Sequence, residues 1–594
     1  MTRVGSGQEA PAPTAVPART PVATLAKRAG LVVLAAAVLF FCYWRESQAA
    51  PVSSDGSANV LQAWDMLHGN LLLHSWWVSD VSFYTTELPQ YVLLDALLGL
   101  GPWVVHAAAA MTYTLLVLLA ALLAKGRASG ATLLARGDDP PRPPREGMSR
   151  ALLAAGLMLA PQLSATSIVL LSPDHTGTAV PLLLTWLLID RVSPARGVRG
   201  DGSFPRGVRG DGSPREGPRG VPGGRPPGPA WFVPLLACLM FTWATVGDPI
   251  VLLTGVVPLV LVCALRACPG LVRGQRPASR WYELALAAAA AVAGVAGLLA
   301  PRVMLALGGY QQSHVGADTN WGQLQHGSWV TFQAFLELFG ANVFNTSFFG
   351  AKPELEVVFV ALHLAGAIAV ACALGVAAWR FFRFGDLIVP VFAVAIVLNL
   401  AAYMSSTHAQ DLLGAREMAE VLPLGAVLAG RVLGDRIPAW ISAAKGWFVP
   451  VLAVLTAGYL ATLGYDAAQA SVPAENEPLA SWLVAQRLTD GLATYWQANS
   501  TTVDSHRQVL ISAVVQNPRD RLVPYLWETD VANYDPARHY ANFVVADGPS
   551  ALPGMPLSAE LTFGRPQRIY HADGYTILVW NTNLLAKLGS PGIG

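Results

Sequence analysis

Apolar runs long enough to cross a bilayer recur through most of this chain, up to about residue 465, and they leave few folds open. A membrane helix needs about 20 largely apolar residues to span a hydrocarbon core of roughly 30 Å. Segments that meet or approach this length are expected near 29–44, 103–124, 151–171, 176–190, 231–246, 250–265, 281–300, 356–378, 387–404, 418–433 and 447–465. The shorter ones, such as 176–190, need help from their flanking residues. Only 13% of the residues are charged, against about 25% in a soluble globular chain, so most of the chain does not face water.

The basic residues assign sides to this pattern. With the N-terminus inside and eleven crossings, the expected cytoplasmic segments hold 27 of the 39 Lys and Arg residues. The loops expected outside hold only Arg45, Arg302, Lys352 and Arg416, and the remaining eight lie beyond residue 465. Positive charge resists translocation in short loops, so the asymmetry predicts a cytoplasmic N-terminus and an extracytoplasmic C-terminal region. A miscount of one helix would scramble the asymmetry.

Residues 1–28 are rich in Pro, Ala and Thr before Lys27 and Arg28, and read as a disordered cytoplasmic tail. Ser47-Gln48-Ala49 offers a small-residue cleavage site, so a signal peptide is the alternative for the first apolar run. Trp44-Arg45-Glu46 is a poor approach to such a site and favours a retained helix. The loop 191–229 repeats Arg196–Ser203 at Arg206–Ser213 and reads as a duplicated disordered linker rather than a nucleic-acid-binding segment. The five cysteines lie in or beside apolar segments without a CxxC pair, which points to neither a disulfide framework nor a metal site.

The unusual residues gather in the expected outer loops. The first loop, 45–101, carries Asp55, Asp65, Asp80, Glu87 and Asp95 against a single Arg45. Its stretch 56–68 has helical spacing, with Asp55 at the start, where an Asp can serve simply as an N-cap. A second short apolar helix is expected at 88–100, and both are expected to lie at the membrane interface. The third and fourth helices are joined by Ser172-Pro173-Asp174-His175, the fifth and sixth by Gly247-Asp248-Pro249. Asp248 before proline has a ready explanation as a turn residue. The long loop 301–355 holds His314, Asp318, His326 and Glu337, with an interfacial helix expected over 329–344. The loop 405–417 holds His408, Asp411, Arg416 and Glu417. Arg416 fits either a lipid headgroup or a phosphate, which its planar fork suits.

In this order the motifs resemble the polytopic GT-C glycosyltransferases, which include protein O-mannosyltransferases and aminoarabinose transferases. The likeness rests on Ser54-Asp55-Gly56 after the first helix with Met66-Leu67-His68-Gly69-Asn70 beyond it, on Glu87-Leu88-Pro89-Gln90-Tyr91, on Ser172-Pro173-Asp174, and on Arg416 with Val421-Leu422-Pro423-Leu424. It covers roughly the first 190 residues and a stretch near 416–434. The chain departs from the family in having Gly56 where the mannosyltransferases often carry a second acid, and Glu417 where a tyrosine is expected. The resemblance implies transfer of a sugar from polyprenyl phosphate to an acceptor hydroxyl outside the membrane. It suggests Asp55 as general base, Arg416 and His408 as ligands of the donor phosphate, and Asp80, Glu87, Asp174 and His175 as groups orienting sugar or acceptor. No motif requires a metal, although a carboxylate-bound divalent ion is compatible with so many oxygen ligands. The expected partners are the lipid-linked donor, membrane lipid and a glycan or protein acceptor, with no nucleic acid.

Residues 466–594 change character and read as a small extracytoplasmic α/β domain, with strands at 508–515, 542–546 and 576–580 and a helix at 478–497. The fold class is therefore an α-helical polytopic membrane domain, 29–465, followed by this appendage. Two other functions compete: a transporter or flippase of lipid-linked substrates, and a non-catalytic relative. Transporters place polar residues near the midplane, on broken helices, often in repeated halves. Here the acids lie in loops and no repeated half is visible, which favours the enzyme.

Overall fold

The computed structural model describes residues 22–126, 146–173, 175–192, 231–268, 277–313, 319, 321–345, 352–381, 386–443, 446–548 and 553–589. The tail before residue 22, the repeat-bearing linker, Asp174, His314 and Asp318 lie outside them.

Among the described residues, five helices are long and apolar enough to cross a membrane: Ala29–Ser47, Trp103–Lys125, Arg280–Ala306, Glu354–Trp379 and Phe448–Ala467. Shorter apolar helices, Phe232–Gly247, Leu252–Ala267 and Ile388–Met404, pack with them. Exposed Leu31, Val32, Val33, Val292, Val295, Val358 and Val454 give the bundle an apolar outer surface, as expected where the solvent is lipid. Its interior is centred on Trp186, whose ring meets Phe241 and Phe392 edge-on at 5.4 and 5.6 Å.

Two expected crossings take another form. The segment 151–171 is not one helix. Glu146–Leu157 stops short of Pro161, and a 3-10 turn, Leu163–Ala165, leads into the short helix Thr166–Val169. Proline has no N–H to continue the helix and disfavours helical backbone in the residue before it. Gln162 then fastens the broken region: its amide oxygen accepts from Asn342 N at 3.0 Å, and its amide nitrogen donates to Asn345 O at 2.6 Å. The segment 418–433 forms a helix only over Val421–Leu433, every residue of which is buried. A largely apolar helix packed all round is the centre of a bundle, and its 13 residues, charged only at Arg431, extend about 20 Å at 1.5 Å per residue.

The two helices of the first loop form at Ser54–Leu67 and Leu88–Leu98. Ser54–Leu67 is largely enclosed by protein. Its residues from Gly56 to Ala63 are buried, beneath the C-terminal domain and against the bundle. The long loop 301–355 has its helix at Leu324–Leu338, earlier than expected, and Gly340 turns the chain at φ 72° just after it.

The strands, in chain order, are β1 (Trp76–Val78), β2 (Gln311–Gln312), β3 (Asp490–Ala493), β4 (Leu510–Gln516), β5 (Leu522–Pro524), β6 (Thr529–Asp530), β7 (Phe543–Asp547), β8 (Arg568–Ala572) and β9 (Tyr575–Val579). The C-terminal domain is a six-stranded mixed sheet in the order β5-β4-β3-β7-β9-β8, with β3 parallel to both β4 and β7. The helix expected over 478–497 is two helices, Glu477–Ala485 and Tyr495–Asp504, separated by β3. A four-residue buried strand containing Gly491 shows too short a pattern to stand out between helical stretches.

A second, three-stranded sheet joins the domain to the loops, with β1 central between β2 and β6. Trp76 Nε1 donates to Asp65 Oδ2 at 2.8 Å, and Arg507 pairs with the same carboxylate at 3.2 Å. His506 Nδ1 lies 2.9 Å from Leu100 O.

At the opposite end of the bundle, Arg431 is buried and spans two carboxylates, Asp190 at 2.8 Å and Asp386 at 2.6 Å, while also donating to Leu123 O. It thereby ties together the ends of four helical segments. Removing one member of a buried ion pair costs about 3–5 kcal/mol because its partners stay desolvated. Arg431→Met is therefore expected to lower the thermal midpoint of the detergent-solubilised protein substantially. An unchanged midpoint would show that this network does not hold the bundle.

Candidate active site

The helix Ser54–Leu67 begins with Ser53 as its N-cap: Ser53 Oγ accepts from Gly56 N at 3.1 Å. Asp55 is therefore not spent on capping, and its carboxylate projects from the first turn. Gly56 is required beside it. A Cβ there would meet Ser172 O at 2.8 Å and a Val105 methyl at 2.9 Å. The close packing of this turn against 172–173 explains why no second acid stands next to Asp55.

From Asp55 a line of polar contacts runs in both directions. Tyr495, just past the end of β3, hydrogen-bonds Asp55 Oδ1 through its hydroxyl, and the same oxygen lies 2.6 Å from Glu528 Oε2. Ser54 Oγ donates to Tyr495 O at 2.6 Å, which fixes the tyrosine backbone against the helix start. On the other side, Asp55 Oδ2 lies 3.7 Å from Arg416 Nη1. Arg416 Nε is 3.9 Å from Glu417 Oε1, and Glu417 Oε2 is 3.0 Å from His175 Nε2. His175 Nδ1 lies 2.6 Å from Asp248 Oδ2, which also accepts from Thr178 Oγ1 at 2.7 Å. With a carboxylate oxygen at each ring nitrogen, the arrangement calls for two N–H donors, the imidazolium form.

Charge along this line follows its neighbours. Burial opposes ionisation of Glu417, but His175, with His408 and Arg416, brings its pKa down to about 2. Asp80 shifts the other way: burial raises it, as does the charge of Glu417 and Asp248, while His175 offsets part of the effect. Glu528 is raised well above the carboxylate range, by burial first and then by Asp55.

The structure thus brings Asp55, Arg416, His175, His408 and Asp80 into one neighbourhood. Glu87 sits beneath it, buried. Its carboxylate accepts from the Ser172 hydroxyl and from Gly177 N at 3.1 Å, so it ties Ser172 to the start of the helix His175–Val192. A Cβ on Gly177 would fall 2.1 Å from that carboxylate, which makes the glycine necessary to this tie. Asp248 is more than a turn residue: its Oδ1 does accept from Ile250 N at 2.9 Å, but its Oδ2 holds His175.

Sequence reasoning did not find Tyr495, Glu528 or Glu420, and took Glu417 only as a departure from a family pattern. Glu417 and Glu420, spaced i,i+3 beside Arg416 and just before the largely apolar helix Val421–Leu433, were the available signal. Tyr495 carries none, because Asp55 lies 440 residues away, and Glu528 joins the site only through Tyr495. One donor set could take a divalent ion: His175, Asp248 and Glu420 each offer a ligand atom within 4.8 Å of the others, all buried. Its nitrogen and oxygen donors suit such an ion, although His175 would first have to give up a proton it shares with a carboxylate.

No family model matches the chain, and no curated protein matches it. Among solved structures it is similar to the crystal structure of the Archaeoglobus fulgidus oligosaccharyltransferase tethered with an acceptor peptide containing the NVT sequon via a disulfide bond. The identity is 12% and the TM-score 0.41, over 84% of this chain and 65% of that one, so the chain spans just under two thirds of the neighbour's length.

Glu417 is expected to give the fold a pH signature. Its pKa is depressed from 4.5 to about 2, so its stabilising contribution is full above about pH 4.5 and is lost as pH falls towards 2. Glu417→Gln should lower the thermal midpoint at pH 7, and the deficit relative to wild type should shrink as pH falls through that window. A deficit independent of pH would contradict the pairing.

Proposed function

We propose that the protein is a membrane glycosyltransferase that moves a sugar from a polyprenyl-phosphate donor to the hydroxyl of a glycan, lipid or protein acceptor in the cell envelope. In this reading the end of the bundle that carries the C-terminal domain faces away from the cytoplasm, in keeping with the spread of Lys and Arg along the chain. The observation that carries the proposal is the pairing of a carboxylate and an arginine, Asp55 and Arg416, 3.7 Å apart and both partly open to solvent at that end of the bundle.

Displacement at an anomeric carbon forms a bond from the acceptor oxygen and breaks the bond to the donor phosphate. The acceptor proton needs a base, and the departing electron pair needs positive charge. Asp55 supplies the first: Tyr495 engages Oδ1, and Oδ2 lies beside Arg416 on a side chain partly open to solvent. Arg416 supplies the second, because its fork can hold two phosphate oxygens, with His408 as a further ligand. The prenyl phosphate leaves as a stable anion and needs no acid, and attack opposite to it inverts the anomeric centre. Asp80 orients sugar or acceptor, together with Asp174, while His175, with both ring nitrogens engaged, acts through Glu417. Glu87 acts through Ser172 and Gly177, which it holds. A divalent ion on His175, Asp248 and Glu420 would add positive charge near the phosphate. The prenyl tail stays in lipid, which explains a site at the end of a membrane bundle.

General-base catalysis is worth about 10²–10⁴-fold in rate, so Asp55→Asn is expected to reduce transfer by at least about 100-fold. The test is glycan analysis of a deletion strain carrying either wild-type protein or this variant at equal membrane abundance. The wild type should restore the missing envelope glycan and the variant should not. Full restoration by Asp55→Asn would remove the assignment.

A further inference from the structure

The contact between the two domains fixes how many protons the site must hold. The Tyr495 hydroxyl oxygen is within hydrogen-bonding distance of two carboxyl groups, Asp55 through Oδ1 and Glu528 through Oε2 at 2.6 Å. A phenol has one proton to donate. It can satisfy one of these acceptors. The other contact would then set lone pair against lone pair unless that carboxyl group carries a proton itself. Two hydrogen bonds among three oxygens need two protons, and the phenol supplies one. It keeps that proton at neutral pH, because burial and the flanking acids push its ionisation above the usual range.

The second proton belongs on one of the two acids, and their surroundings differ. Asp55 is partly open to solvent and faces Arg416. Glu528 is buried at 2% exposure, and among the described residues no cation forms an ion pair with it. The groups that face it are Tyr495, the Ser79 hydroxyl, and the acids Asp55 and Asp80, with Tyr525 close to both Asp55 and Glu528. A buried carboxylate with acidic neighbours and no cation is the costlier ion of the two.

We infer that Glu528 is a carboxylic acid at neutral pH and donates to Tyr495, which in turn donates to Asp55 Oδ1, so that the C-terminal domain holds Asp55 as an oriented carboxylate with Oδ2 turned to the reaction. Glu528 and Tyr495 are positioning residues, and the site is split between domains: the base comes from the first loop, and its orientation from residues more than 400 positions later. The role of Asp55 as base rests on the function proposed above. The proton's place does not.

Infrared difference spectroscopy of the full chain in lipid nanodiscs at pH 7 tests this without any sugar substrate. The wild-type minus Glu528→Gln spectrum should contain one protonated-carboxyl C=O band, and that band should persist in Asp55→Asn. Tyr495→Phe, which removes the acceptor but little volume, should move the band to higher frequency. It decides the question even if Glu528→Gln does not fold. A band retained in Glu528→Gln or lost in Asp55→Asn would overturn the inference, as would one unmoved by Tyr495→Phe. Because the readout is a proton and not a product, failure of the transferase reading leaves it intact, and the reverse also holds.

Discussion

The hydroxyl of Tyr495 reaches Asp55 from the C-terminal domain, and the rest of the site is arranged around that contact. Carboxylates near a membrane surface cannot stand alone in a low-dielectric setting, so each needs a proton, a cation or hydrogen-bond donors. From Glu528 through Tyr495, Asp55, Arg416, Glu417 and His175 to Asp248, this need is met in sequence, each group matched by the next. The line draws on the first loop, two helix-joining turns, a late loop and the appended domain. None of these holds more than part of it.

The opposite end of the bundle follows the same rule with the signs reversed. There a single arginine, Arg431, lies among carboxylates and a backbone carbonyl. Arg150 pairs with Asp435 through both acid oxygens, and Arg266 with Glu283 at 3.4 Å. The cations there serve to hold helix ends together. At the end bearing the C-terminal domain, Arg416 remains nearly half exposed. The two ends thus differ in how far their arginines are enclosed, Arg431 at 4% exposure and Arg416 at 46%.

Much of the helical bundle was legible in the sequence because membrane helices declare themselves by long uncharged runs that no other element imitates. The breaks were less visible. Pro161 interrupts what hydropathy alone reads as one segment, and the centre of the bundle is a helix shorter than a span. In the C-terminal domain the strands at Leu510–Gln516, Phe543–Asp547 and Tyr575–Val579 showed through, but β3, which lies between β4 and β7, did not. Of the site, Asp55, Arg416 and His175 could be singled out by position in otherwise apolar loops. Tyr495 and Glu528 could not, since what makes them important is a contact created only by folding. Asp248 shows the intermediate case, a residue whose local role as a turn former conceals its role as the partner of His175.

In the proposed function Asp55 opens to the side of the membrane away from the cytoplasm. In a version of the full chain with its five native cysteines replaced, a single cysteine at position 55 can be challenged in intact cells with a membrane-impermeant thiol reagent. The account predicts labelling from outside without permeabilisation. Labelling only after the cell interior is opened to the reagent would contradict it.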